Sequence, residues 1–287
     1  MKILVTGATG FIGNYVVNDL LKLRNHDIIA TSIDPPKRAK EFEWYNDVYY
    51  ITCDLNEIDK NYFSFFKEPD VLIHLSWQGL PNFKELYHFE RNVPTNYNFI
   101  KKMVQNEEIN INCIGTCLEY GMKEGCLSED LITNPITAYG LAKDTLRKYI
   151  QELNKKKKFS FKWIRLFYMY GKGQTPKSIL PQLDLALYNG ENVFNMSGGE
   201  QIRDYLPVEK VAEYINKISL QNKITGIVNC CSGKPISINE LVETHLKKRN
   251  KSIKLNLGYY NYPDYVPMAF WGDTKKLSTI LSEYSCK

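Results

Sequence analysis

Two short segments carry side chains whose types and spacing could do acid–base chemistry. YGLAK supplies Tyr139 and Lys143, and GTCLEYG supplies Thr116, 23 residues earlier. Residues four apart on a helix share one face. A phenol titrates near pH ~10, and a neighbouring ammonium stabilises the phenolate and lowers that value. Proton transfer near neutral pH needs a drop of roughly 3 units, about 4 kcal/mol of differential interaction. Lys143, aided by a cationic cofactor ring in a low-dielectric site, is expected to provide it.

A third segment, TGATGFIG, places Gly7, Gly10 and Gly13 between an apolar run and a helical pattern. Glycines so spaced give a tight turn, a close backbone approach to a pyrophosphate, and close helix–strand packing. The helix N-terminus adds free N–H groups for the phosphates. Asp54, in CDL after a later strand, could accept from an adenine amino group or be a surface turn residue. Ser32 and Asp34 stand 19 and 21 residues past Gly13. An acid at about that distance binds the adenosine ribose and favours NAD. Ser32 sits where that acid normally stands, and its hydroxyl, Thr31, Lys37 and Arg38 could hold a 2′-phosphate. The reading favours NADP, with Asp34 as the counter-evidence and NAD open.

These segments need a frame to position them. Buried strands are expected at Lys2–Val5, Ile28–Ile33, Val48–Thr52, Val71–Leu75, Ile109–Ile114 and Phe161–Leu166, with helices at Phe11–Leu23, Arg91–Gln105 and Tyr139–Asn154. Strands alternating with helices predict an α/β fold, a Rossmann-like doubly wound parallel sheet. After Tyr170 the pattern changes, with helices at Ile179–Tyr188 and Val208–Ser219, short strands at Val193–Met196 and Gly226–Cys231, and an irregular stretch from Tyr259 to Pro267. The expected division is a dinucleotide-binding domain of residues 1–166 and 206–236, and a smaller discontinuous C-terminal substrate lobe of 167–205 and 237–287.

Composition narrows the function classes. Hydrophobic residues make up 44% of the 287, enough for a large core. A net charge of +5, from 37 basic and 32 acidic residues, is no nucleic-acid footprint. No apolar run approaches the ~18 residues of a membrane span, and MKILVTGATG is expected to be a strand running into glycines rather than a signal peptide. The seven cysteines are irregularly spaced, and no CxxC pair or His/Cys cluster suggests a metal. Free thiols and a cytoplasmic location are expected.

Together these motifs resemble the extended short-chain dehydrogenase/reductases, the family of nucleotide-sugar epimerases and dehydratases. The likeness covers nearly the whole chain: TGATGFIG, HLSWQG (74–79), GTCLEYG, YGLAK, RLFYMYGKGQ (165–174) and IRDYLPVEKVA (202–212) occur in the family's order. The resemblance implies Tyr139 as general acid/base, Lys143 on the nicotinamide ribose, and Thr116 on the reacting sugar oxygen. It implies cofactor contacts from Gly7, Thr9, Gly10, Phe11, Ile12, Gly13, Ser32, Asp34, Arg38, Asp54, Leu55, Leu75, Ser76, Trp77 and Asn92. Substrate contacts would come from Thr116, Cys117, Leu118, Tyr168, Ser178 and Arg203, the last on the diphosphate unless it pairs with Asp204. A homodimer is implied, pairing the helices around Arg91–Gln105 and Tyr139–Asn154.

The family's 4,6-dehydratases carry Asp-Glu after the Ser/Thr; Cys117 and Leu118 stand here, so the acid and base are missing together. Its epimerase–reductases pair a cysteine with a histidine; Cys117 lies one position early and Gly173 occupies the histidine's place. Tyr168 stands where the epimerases carry asparagine. The motifs are closest to sugar-nucleotide 4-ketoreductases such as CDP-abequose synthase. The expectation is therefore NAD(P)H-dependent reduction of a 4-keto 6-deoxy nucleotide sugar at C4, in surface-polysaccharide sugar biosynthesis. An NAD-dependent epimerase or C4 dehydrogenase is the alternative. A non-catalytic dinucleotide sensor is disfavoured, since sensors lose the Tyr/Lys pair.

Overall fold

A computed structural model describes residues 1–57, 60–104 and 108–285. Its strands are β1 (Lys2–Thr6), β2 (Asp27–Ser32), β3 (Tyr49–Thr52), β4 (Val71–His74), β5 (Asn110–Thr116), β6 (Gly125–Leu127) and β7 (Ser160–Leu166). Those that follow are β8 (Tyr168–Tyr170), β9 (Val193–Asn195), β10 (Ile202–Pro207), β11 (Gly226–Cys230), β12 (Pro235–Ser237), β13 (Lys254–Asn256) and β14 (Phe270–Gly272). The helices are α1 (Phe11–Leu21), α2 (Pro36–Ala39), α3 (Tyr62–Phe65), α4 (Val93–Met103), α5 (Ala138–Lys156), α6 (Ile179–Tyr188), α7 (Val208–Leu220), α8 (Ile238–Arg249) and α9 (Lys275–Ser285).

Seven strands form one sheet in the order β11-β7-β5-β4-β1-β2-β3, all parallel. This is the doubly wound, Rossmann-like α/β arrangement. Successive residues of a strand face opposite sides, and both sides are covered. Ile3 and Val5 of β1 pack with Val16, Val17 and Leu20 of α1 and Ile215 of α7. Leu4 packs on the other face with Phe99 and Ile100 of α4 and Leu146 and Ile150 of α5. That double burial makes the strands read as unbroken apolar runs.

β11 ends the sheet, and its exposed backbone groups are covered. Lys276 of α9 donates to the carbonyls of Thr225 and Ile227 (2.9 and 2.6 Å), and Glu129 accepts from the N–H of Asn229 (2.9 Å). Three small sheets, β12-β10-β8, β13-β9 and β14-β6, collect the remaining strands. Among the described residues no helix is long and apolar enough to cross a membrane.

Element ends moved by a residue or two. β5 runs on through Thr116, so the hydroxyl belongs to the strand itself. The expected end of the α4 helix at Gln105 lies outside the described residues. The strands β6, β8, β12, β13 and β14, three residues each, were not foreseen because so short a run carries no periodicity.

Candidate active site

Strand order reverses between β1 and β4, and a cleft opens there at the carboxyl ends of the strands, where open α/β sheets bind ligands. Of the residues singled out in the sequence, Gly7, Thr9, Gly10, Ser32, Asp54, Leu55, Leu75, Ser76, Trp77 and Asn92 line it. Ile33, Cys53, Asn56, Gln78, Arg91, Thr95 and Asn96 line it too and were missed. Phe11, Ile12 and Gly13 form the first turn of α1. Gly7 has φ +68, and a Cβ on Gly13 would fall 2.1 Å from the Gly7 carbonyl oxygen, so the loop and helix close only with glycine there. No side chain caps α1, which leaves its first-turn N–H groups for a ligand oxygen. This cradle fits a dinucleotide pyrophosphate. Asp54 lines the cleft, and its Oδ1 accepts from the backbone and side chain of Asn56 (3.0 and 2.7 Å).

At the end of β2 the Ser32 hydroxyl, expected to be able to hold a 2′-phosphate, is engaged within the protein. Ser32 is buried; its Oγ is 2.7 Å from the Tyr50 hydroxyl and accepts the Asp34 N–H at 3.1 Å. The Asp34 carboxylate accepts from the Thr9 hydroxyl (2.6 Å) and lies 3.4 Å from the Arg38 guanidinium.

Thr116, Tyr139 and Lys143 come together beyond Trp77. Tyr139 is only 7% exposed, its ring bordered by Trp77, Phe83 and His88, and Thr116 stands close enough for its hydroxyl to favour the phenolate. Burial pushes the Tyr139 phenol well up, helped by the negative charge of Glu119 and opposed by Thr116. The Lys143 ammonium is not directed at the phenol. It donates to the Ile114 carbonyl at 2.8 Å and sits 3.9 Å over the Trp77 ring, and burial holds it down at about 7. The expectation that this lysine lowers the tyrosine is therefore corrected: spacing on one helix face sets direction, but the buried carbonyl captures the charge.

The turn carrying Thr116 is held by a residue that sequence reasoning passed over. Glu119, fully buried, accepts from Thr116 N–H (2.9 Å) and the Trp163 indole (2.8 Å) through Oε1, and from Arg165 (2.7 Å) through Oε2. A Cβ on Gly115 would lie 2.5 Å from that Oε1 and 2.2 Å from the Trp163 nitrogen, so glycine makes room for the carboxylate. His88 was also passed over. It is fully buried, accepting from the Trp77 indole through Nδ1 (3.1 Å) and lying 3.0 Å from the Asn82 carbonyl through Nε2.

On the substrate side, Cys117, Leu118 and Tyr168 join an apolar cluster with Phe167, Val266 and Phe270. Burial raises the Cys117 thiol to about 12, which keeps it protonated at neutral pH. Arg203 is buried against the Phe270 ring (4.8 Å) and donates to the Met268 carbonyl (3.2 Å). Asp204 is taken up instead by the N–H groups of Ser232, Gly233 and Gly272, which removes it as the expected ion-pair partner. Ser178 starts α6 without capping it.

The family model described as "NAD dependent epimerase/dehydratase family" matches residues 3–231. The chain is 30% identical over 277 residues to dTDP-6-deoxy-L-talose 4-dehydrogenase (NAD(+)) of Aggregatibacter actinomycetemcomitans, covering 95% of this chain and 99% of that protein. It is 22% identical to GDP-6-deoxy-D-talose 4-dehydrogenase of the same organism, covering 98% and 91%. Among solved structures it is similar to UDP-glucuronic acid 4-epimerase from Bacillus cereus in complex with UDP-glucuronic acid and NAD, with TM-score 0.84, 23% identity, and coverage of 98% and 93%. That last likeness is one of fold.

Proposed function

The chain belongs to the NAD dependent epimerase/dehydratase family, and we propose that it is an NAD-dependent oxidoreductase of nucleotide sugars that oxidises the C4 hydroxyl of a 6-deoxyhexose. The observation that carries the reading is the Thr116–Tyr139–Lys143 group followed by Cys117 and Leu118. Leu118 cannot titrate and the Cys117 thiol stays protonated, so the site can pass a proton at one sugar oxygen but cannot deprotonate a neighbouring carbon. Similarity to the dTDP-6-deoxy-L-talose 4-dehydrogenase supports C4, a 6-deoxy sugar and NAD.

Bound in the cleft, NAD supplies the hydride acceptor. The phenolate of Tyr139 takes the C4 hydroxyl proton, and the Thr116 hydroxyl holds the same oxygen. The C–H pair leaves as hydride and the C–O bond becomes a carbonyl. One proton is released per turnover, so oxidation gains tenfold in equilibrium per pH unit. The same transition state runs in reverse as 4-ketoreduction, with Tyr139 returning the proton to the forming alkoxide; substrate and cofactor pools and pH set the direction. Burial favours the neutral phenol and Thr116 opposes it, so oxidation relies on the Thr116 hydroxyl and on the positive charge that a bound nicotinamide ring would bring to stabilise the phenolate. We assign cofactor binding to residues 1–166 and 206–236 and the nucleotide sugar to the remainder, with Arg203 on the diphosphate and Tyr168 and Ser178 near the sugar nucleotide.

The experiment is turnover of nucleotide-linked 6-deoxyhexoses with added NAD, followed by NADH absorbance. Tyr139→Phe should abolish it while leaving NAD affinity nearly unchanged. A C4-epimerised product without net NADH would replace this reading with an epimerase.

A further inference from the structure

Around Asp34 the hydrogen-bond directions can be assigned one by one. Tyr50 of β3 has its hydroxyl 2.6 Å from the Asp34 carbonyl and 2.7 Å from Ser32 Oγ. A carbonyl only accepts, so the phenol proton goes to Asp34. The Tyr50 oxygen can then only accept from Ser32, which spends the serine proton. Ser32 Oγ in turn accepts the Asp34 N–H (3.1 Å), closing the ring. Thr52, two residues along β3, adds a second donor to the same carbonyl (3.0 Å). Asp34 is thus fixed at its N–H and its C=O, while Thr9 of the glycine loop fixes the carboxylate (2.6 Å). The Tyr50 ring is itself wedged beside Trp44 and Tyr45.

We propose that Tyr50 is the positioning residue that sets the choice between NAD and NADP. Its hydroxyl aims the Asp34 carboxylate at the adenosine ribose and withholds the Ser32 proton from a 2′-phosphate. An acid after the second strand accepts from the ribose hydroxyls and repels a phosphate. Here that acid sits two residues beyond the strand end, where a loop would wander unless tied, and the tie comes from the neighbouring strand. The register that pairs Ala30 with Tyr50 and Ser32 with Thr52 puts both β3 hydroxyls on the same carbonyl. Without the Tyr50 hydroxyl, Asp34 loses one anchor and Ser32 regains a free donor beside the cleft. Discrimination then falls from both sides: NAD binds less well and NADP better.

This inference rests on the reading of the cleft as a nicotinamide-dinucleotide site. Its test is calorimetric titration of the purified chain with NAD and with NADP, which needs no sugar substrate. The variants are Tyr50→Phe, Ser32→Ala, Asp34→Ala and the Tyr50→Phe/Asp34→Ala double. Wild type should prefer NAD. Tyr50→Phe should weaken NAD about fivefold, the scale of one ordinary hydrogen bond, and narrow the NAD-to-NADP preference by about tenfold. Ser32→Ala breaks the ring from its other end and leaves the aromatic wedge alone; it should weaken NAD without helping NADP, since no serine proton is freed. In the Asp34→Ala background Tyr50→Phe should not weaken NAD further, as expected of a residue acting through another. A wild type that prefers NAD, with Tyr50→Phe and Ser32→Ala both leaving the preference intact, overturns the proposal and spares the cofactor reading. So does a Tyr50→Phe effect on NAD undiminished without Asp34. A wild type that binds neither nucleotide, or prefers NADP, overturns the NAD reading and this inference with it.

Discussion

Replacing Glu119 by glutamine should destabilise the protein far more than a near-isosteric change suggests. The Oε1 contacts to Thr116 N–H and the Trp163 indole at 2.9 and 2.8 Å could survive. The amide nitrogen would then face Arg165 Nε at the former Oε2 position, 2.7 Å away, donor against donor. Flipping the amide relieves that clash and creates a worse one, since the NH2 group would meet two N–H donors. In either orientation Arg165 loses its carboxylate, and Arg147, whose Nε is 3.8 Å from Oε2, loses that charge while keeping Asp144. Removing one partner of a buried ion pair costs about 3–5 kcal/mol, a third or more of an ordinary domain's stability. With a urea m-value near 2–3 kcal/mol/M, the unfolding midpoint should fall by roughly 1–2.5 M at unchanged m. Equilibrium unfolding followed by far-UV circular dichroism reads this directly. A midpoint within about 0.3 M of wild type would refute the idea that Glu119 is what holds the Thr116 turn.

Thr116→Ala should lower kcat by roughly 10²–10³-fold, the scale of one lost oxyanion donor, whereas Cys117→Ser should leave kcat within a few-fold; loss of activity in Cys117→Ser would mean that the thiol takes a proton. Lys162, fully buried in β7 and donating to Asn110, is held down to about 7 by burial. The unfolded chain therefore binds more protons between pH ~7 and ~10.5, and wild-type stability should rise with pH through that window. Lys162→Met should flatten that slope and gain most over wild type at pH 7; parallel profiles for the two proteins would contradict the assignment. A homodimer is expected through α4 and α5, which lie side by side with Tyr97 and Tyr149 in edge contact and Tyr149 half exposed. Light scattering should give a dimer mass, and Tyr149→Glu a monomer; a monomeric wild type at micromolar concentration would dismiss it.

The frame was legible because a sheet covered on both faces writes its strands as continuous apolar runs, and because a glycine loop between strand and helix has few other uses. The motifs carrying Tyr139 and Thr116 were legible as segments, and the fold brings them to one site. What stayed hidden depends on register across strands. Glu119 reads as a polar turn residue until β5 and β7 align, pairing Gly115 with Arg165 and bringing Trp163 and Arg165 to its two oxygens. A signal existed: KWIRL puts Lys162 and Arg165 inside a central strand, and a buried arginine demands a carboxylate. The engagement of Ser32 was hidden because the hydroxyl that occupies it belongs to Tyr50 on β3. Lys143 was placed correctly on its helix face, but its ammonium is bound by a strand carbonyl, Ile114, that no spacing rule reveals.

The central claim is net hydride transfer from sugar C4 with Tyr139 handling the proton. Its most direct test uses a nucleotide-linked 6-deoxyhexose carrying deuterium at C4, turned over with NAD in ordinary water. The account predicts one deuterated NADH per ketosugar formed, no solvent hydrogen exchanged at C3 or C5, and no turnover in Tyr139→Phe despite intact NAD binding. Deuterium that stays on a sugar inverted at C4 with no NADH accumulating, or exchange at C3 or C5 that disappears in Cys117→Ser, would contradict it.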